Sequence, residues 1–301
     1  MKLSQHLLAI RFLWLATLLA IAPSATAAEN SFEHWRMCRY CSQNFRGDPP
    51  PAANGRNYPP DRPIDMLHLK LDVTPDFASR KVAGTCTLTF KPIARPLETL
   101  TLNAVDLDVG AVRSEVGIES FYMSDKGLEI AFKNPIEPGT QVEIAVDYEV
   151  EPKKGLYFRT PQQRYPNTDT QIWTQGEPHE GRHWFPSFDY PNEHFTSEVI
   201  CHVPADMTVL SNGRLVEEKL SADNETKAVH WRQEKPHVNY LIALVAGYFD
   251  KLEGKYRDIP LGFYTPPSRS AYAKNAFRDT PDILQFFEEY TGVDYPWAKY
   301  D

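Results

Sequence analysis

Cysteine is scarce in this sequence: four residues in 301, at positions 38, 41, 86 and 201. No lipobox cysteine follows the leader, which argues against a lipid-anchored protein. Cys38-Arg39-Tyr40-Cys41 has no second cysteine pair elsewhere and no histidine directly after it. A four-cysteine zinc knuckle and a c-type haem attachment are therefore excluded. A local Cys38–Cys41 disulfide or a pair of free thiols is favoured over half of a metal knuckle. Cys86 and Cys201 sit in strand-like runs and read as small core residues. Long apolar runs are lacking too. After residues 12–22 no stretch is long enough to cross a bilayer, so no membrane span is expected once the leader is removed. Positive charge is in deficit, with 32 Lys and Arg against 40 Asp and Glu and a formal charge of −8. That balance argues against nucleic acid as a partner. No internal repeat, low-complexity tract or β-α-β alternation is present before residue 265.

What is present begins with a leader. Lys2, His6 and Arg11 form a basic start, and residues 12–22 form a short apolar run ended by Pro23 and Ser24. Ala25-Thr26-Ala27 supplies the small-x-small pattern that signal peptidase reads, which predicts cleavage before Ala28. The mature chain is expected to be exported, periplasmic or extracellular, and soluble. Loss of Lys2 and Arg11 makes it still more acidic.

Residues 28–62 are irregular, and 47–60 are rich in Pro, Asn, Gly and Ala, an extended linker. Strand patterns start at Ile64. Leu67, Leu69, Leu71 and Val73 alternate with polar residues. So do Val82, Cys86, Leu88 and Phe90, and again Val142, Ile144, Val146, Tyr148 and Val150. Period two over such runs predicts half-buried antiparallel strands. Asn212-Gly213 suits a hairpin turn, and residues 240–249 read as a more fully buried strand. The fold class is mainly β, a large antiparallel sandwich or saddle-like sheet assembly over residues 63–265. At Pro266-Pro267 the pattern becomes helical. Ser268 and Thr280 are the expected N-caps, Tyr272, Ala276, Phe277, Ile283, Leu284, Phe287 and Tyr290 the apolar stripe, and Gly292 the stop.

His179-Glu180-Gly181-Arg182-His183 fits H-E-x-x-H, which on a helix sets two imidazoles on one face for zinc. Its surroundings are not helical. Pro178 precedes it, Gly181 interrupts it and Trp184-Phe185-Pro186 follows. The position where a distant third ligand would stand is His202, in a strand-like run. His179 and His183 are read as a chance match, and no metal is expected on this chain.

The stretch from Trp173-Thr174-Gln175-Gly176-Glu177-Pro178 through Arg182 to Phe185-Pro186-Ser187-Phe188-Asp189-Tyr190-Pro191 resembles a signature of the aminopeptidase N family of zinc metallopeptidases (gluzincins). That signature, T-Q-x-E-x-x-x-A-R-x-x-F-P-C-x-D-E-P, belongs to the family's amino-terminal β domain. Gly155-Leu156-Tyr157-Phe158, Val203-Pro204, Leu210-Ser211-Asn212-Gly213 and Tyr295-Pro296-Trp297-Ala298-Lys299-Tyr300-Asp301 match further elements in the family's order. Gly181 stands for the usual Ala, Ser187 for Cys and Tyr190 for Glu.

The resemblance implies that residues 266–301 are the first helices of a thermolysin-like catalytic domain, with the chain cut before the zinc motif. It implies that Glu177 holds the substrate's ammonium group and that Gln175 lines the first side-chain pocket. Peptide amino termini and the missing catalytic domain are then the partners, and zinc is the cofactor of the longer protein only. No catalytic residue is expected in this chain. Arg182 and Asp189 are expected to form an internal ion pair. The alternative reading is a β-domain binding or scaffold module that has lost its zinc domain.

Overall fold

The computed structural model describes residues 62–301. The leader and the Cys38–Cys41 pair lie outside them. Sixteen strands are present among the described residues. They are β1 (Ile64–Asp76), β2 (Lys81–Pro92), β3 (Leu97–Leu102), β4 (Asp108–Arg113), β5 (Ile118–Ser124), β6 (Gly127–Ile136), β7 (Val142–Val150) and β8 (Leu156–Arg159). Then come β9 (Gln171–Thr174), β10 (Phe195–Pro204), β11 (Thr208–Ser211), β12 (Arg214–Leu220), β13 (Thr226–His237), β14 (Leu244–Gly247), β15 (Asp250–Tyr256) and β16 (Ile259–Thr265). Helices α1 (Ser270–Ala276) and α2 (Thr280–Thr291) follow.

The largest sheet has seven strands in the order β12-β13-β10-β1-β2-β7-β4. The mainly β class is as the strand patterns indicate. One pair departs from antiparallel: β1 and β10 run parallel, with His68 opposite Thr196 and Val73 opposite Cys201. A three-stranded sheet, β3-β6-β5, packs over the inner face of the large one. Leu69, Leu71, Leu88 and Phe90 meet Leu100, Leu102, Leu128 and Ile130 in one continuous core. A four-stranded sheet, β11-β14-β9-β8, feeds Leu156, Ile172 and Leu244 into the same core. Cys86 and Cys201 are buried within it as free thiols, and burial pushes both thiols well up from their ordinary range.

Period two holds through β2 and β7 but slips once in β1. A bulge between Met66 and His68 turns Leu67 off the buried face, so that Met66 and Leu69 both point inward. Asn212-Gly213 is not a hairpin turn. It carries the chain from β11 in the four-stranded sheet to β12 in the seven-stranded one. The Asn212 side chain serves that crossing. Its amide donates to the Leu241 carbonyl at 2.8 Å, and its carbonyl accepts from the Ala243 N–H at 2.7 Å. The apolar run 240–249 forms a strand only over Leu244–Gly247, preceded by a 3₁₀ turn at Asn239–Leu241.

Hairpin β15-β16 and α2 share a small cluster of Tyr256, Leu261, Phe263 and Leu284. Neither expected N-cap is one. Ser268 lies in a 3₁₀ turn before α1 and donates to the Asp169 carboxylate at 2.5 Å, and Thr280 is the first residue of α2 rather than its cap. Gly292 ends α2 in the left-handed conformation, as read. Only part of the expected apolar stripe docks: Leu284 is buried in this cluster and Phe277 stacks on Phe263 at 4.7 Å. Ala273, Leu284 and Glu288 are buried, whereas Tyr272, Ile283, Phe287 and Tyr290 are exposed. The helix is held instead by Glu288, which accepts from the Tyr256 hydroxyl at 2.6 Å and the Tyr295 N–H at 2.7 Å, with Arg257 at 2.9 Å. These donors hold the Glu288 carboxyl below its usual range, the Tyr256 bond foremost.

Candidate functional site

Strand β9 leaves the four-stranded sheet at Thr174, whose hydroxyl accepts from the Leu244 N–H at 2.9 Å. The Gln175 N–H then donates to the Gly155 carbonyl at 2.9 Å. Gly176 lies against the backbone of Tyr240, and a Cβ there would stand 2.5 Å from the Tyr240 carbonyl oxygen. The Glu180 N–H closes the following turn on the Gly176 carbonyl at 2.8 Å. A 3₁₀ turn over Gly181–His183 completes the loop. A Cβ at Gly181 would stand 2.8 Å from the Asn239 side-chain nitrogen. The turn carrying Glu177 is thus bracketed by two glycines, each pressed on the Asn239–Leu241 segment.

Behind it lies a buried polar knot. Arg182 donates through Nε to Asp189 Oδ2 at 2.9 Å and through its terminal nitrogen to the Asp189 carbonyl at 3.1 Å. The other carboxylate oxygen, Oδ1, accepts from the Asn239 amide at 2.5 Å. The Asp189 N–H donates to Asn103 Oδ1 at 3.0 Å, which ties the knot to the end of β3. The expected Arg182–Asp189 pair is present, and Arg182 is therefore not a partner for Glu177. Trp184 and Phe185, packed edge to face, and Phe188 seal the knot from below.

Gln175 and Glu177 are both exposed, with Gly176 buried between them. Among the described residues, no hydrogen bond or ion pair engages the Glu177 carboxylate. Tyr157 and Trp173 stand beside this segment as opposite residues of β8 and β9, their rings stacked 5.8 Å apart. Two parts of this arrangement had no sequence signal. Asn239 is more than fifty residues from the loop it supports, and the Tyr157–Trp173 contact depends on a register that only the folded sheet supplies.

The H-E-x-x-H residues lie on a turn and a 3₁₀ segment, not on an α-helix. His179 is exposed. His183 is half-buried, with Nε2 at 3.7 Å from the buried Glu180 carboxylate, and burial lowers its pKa. Lys154 reaches the other Glu180 oxygen at 3.4 Å. His202, the residue at the third-ligand spacing, is bonded to Asp72 at 2.8 Å. These side chains do not fit a zinc ion, and no group of three or more His, Cys, Asp or Glu among the described residues is placed to hold a metal.

Fold and loop together define a class: a multi-sheet β domain that displays an acidic loop from its four-stranded sheet and is followed by a strand–helix unit. Residues 65–241, more than half of the chain, match the Peptidase M1 N-terminal domain. The chain belongs to that family, a family of zinc metallopeptidases. It is similar to aminopeptidase M1-A of Oryza sativa subsp. japonica, with 29% identity over 77% of this chain and 27% of the relative. Leukotriene A-4 hydrolase of Xenopus laevis is 28% identical over 79% of this chain and 39% of the relative. Aminopeptidase N of Acetobacter pasteurianus is 24% identical over 77% and 66%. The chain spans less than two-thirds of the length of these relatives.

Proposed function

We propose that this chain is the amino-terminal, substrate-anchoring part of an exported zinc aminopeptidase, and that Glu177 receives the free ammonium group of a peptide. The observation that carries this reading is the Glu177 carboxylate itself. It is exposed, unpartnered, and mounted on a turn pinned at both ends. A charge-assisted bond to a carboxylate so fixed selects a free amino terminus and sets the register of the first peptide bond. Gln175, exposed two residues before Glu177, lines the space for the first side chain. The family's zinc does not fit the residues present here, so no chemical step is assigned to them, and the chain alone is inactive.

Titration of the chain with L-leucinamide, followed by NMR of the 174–180 backbone amides, tests the anchor. Shifts are expected with the free amine and not with N-acetyl-L-leucinamide, and Glu177→Gln abolishes them. Equal shifts with both ligands would sink the reading. Release of anilide from aminoacyl-anilides by the purified chain, blocked by a chelator, would disprove its inactivity. Export is checked by the mass of the secreted chain, which should begin at Ala28.

A further inference from the structure

Strand β13 turns alternate side chains inward, and Val229, Trp231 and Gln233 share that buried face. Trp231 donates its indole N–H to the Val209 carbonyl at 3.1 Å. Gln233 has no such partner. Its side chain is only 6% exposed, and among the described residues no hydrogen bond or ion pair engages its amide. Buried amides are nearly always paired, because an unpaired one loses water and gains nothing in return. A buried amide left over by the chain itself is a recognition group for something outside it.

Gln233 lines a cavity of about 500 Å³ between β11, β13 and β14 on one side and the strand–helix unit on the other. That volume lies within the usual range for small-molecule sites. Phe263, Tyr264, Phe277, Tyr295 and Trp297 make much of its wall aromatic. The Phe263 and Phe277 rings are nearly parallel, inclined by 5°. Other polar groups of the wall are already engaged. The Ser211 hydroxyl donates to the Ala243 carbonyl at 2.7 Å, and the Tyr295 hydroxyl donates to the Lys299 carbonyl at 3.0 Å. Both ring nitrogens of His237 are bonded, and burial lowers its pKa, so it is uncharged at pH 7. Lys299 pairs with Asp301 and lies over the Trp231 ring at 4.7 Å. The wall therefore offers no uncompensated charge to an ion. It offers flat rings and one amide, which both donates and accepts.

We infer that this cavity is a binding site for a small, neutral, planar aromatic molecule that carries a carboxamide, paired edge to edge with the Gln233 amide. The inference goes beyond the reading of Glu177 and does not depend on it.

The test is NMR titration of the 301-residue chain with benzamide, read at the Gln233 side-chain amide and the Trp297 indole. Acetophenone, of the same shape but without N–H donors, and benzoate, which is charged, are the comparisons. Benzamide is expected to bind about tenfold tighter than acetophenone, and benzoate more weakly still. Gln233→Leu and Gln233→Met remove an amide that has no partner in the chain, so both should keep the thermal midpoint or raise it. Both should weaken benzamide by about tenfold and bring it level with acetophenone. Equal binding of benzamide and acetophenone by the parent chain overturns the inference. So does benzamide affinity unchanged in both variants, or the absence of any saturable shift with benzamide in the millimolar range.

Discussion

Asp189 is the residue on which the loop geometry depends. Its carboxylate holds Arg182 with one oxygen and Asn239 with the other, and almost none of it reaches solvent. Removing one partner of a buried, hydrogen-bonded pair leaves the other uncompensated, at a cost of about 3–5 kcal/mol. Asp189→Ala should lower stability in urea unfolding by that order. Gly181 is the neighbouring test. The family signature has Ala here, yet in this chain the Asn239 amide occupies the space a methyl group would take. Gly181→Ala should destabilise by roughly 1–3 kcal/mol from overpacking. In a double-mutant cycle with Asn239→Ser the two changes should be non-additive; strict additivity would show that they do not share the space. At this scale the Arg182–Asp189 ion pair was legible in the sequence and Asn239 was not. A side chain fifty residues away has no local signature, because what selects it is a three-dimensional gap.

At the scale of elements, period-two patterning was legible wherever a strand keeps one face on the core, as in β2 and β7. It failed at the β1 bulge, where an extra residue resets the phase. Asn212-Gly213 misleads for a different reason. Tight-turn chemistry reports a reversal or corner, and says nothing about whether the flanking strands pair with each other. Here they belong to different sheets, and the Asn212 side chain replaces the missing ladder. Asn212→Ala removes two hydrogen bonds to backbone and should cost about 1–2 kcal/mol, with faster hydrogen exchange at the Ala243 amide. Unchanged exchange there would mean that the crossing is held by other contacts. Of the apolar stripe read for α2, Leu284 does face the docked side, but the stripe missed Glu288, a buried charged residue that no hydrophobic pattern would nominate.

For the molecule as a whole, the histidines predict an acid-sensitive fold. His68, His183 and His237 all have pKa values lowered from 6.5, with burial as the largest cause in each. His237 shows why: its Nε2 accepts from the Ser197 hydroxyl at 2.8 Å, and its Nδ1–H donates to the Val238 carbonyl at 3.0 Å. A proton on Nε2 would force that hydroxyl to rotate and accept, and would place a charge on a buried ring. As pH falls through 6.5 the unfolded chain takes up protons that the folded chain refuses, so stability drops until the folded pKa values are reached. The thermal midpoint should therefore fall from pH 7 to pH 5, and less steeply in His237→Gln. A midpoint flat over that range would rule the account out.

The parallel pairing of β1 with β10 carries a consequence for biosynthesis. His68 meets Thr196, so the centre of the largest sheet joins the first strand to one made more than a hundred residues later. Closing so long a loop is entropically costly and slow. On the ribosome β1 and β2 can pair early, but the outer edge of β1 stays open until residue 204 has emerged. For that interval the nascent chain exposes an unpaired edge rich in Leu and Val, the kind of surface that chaperones bind and that otherwise aggregates.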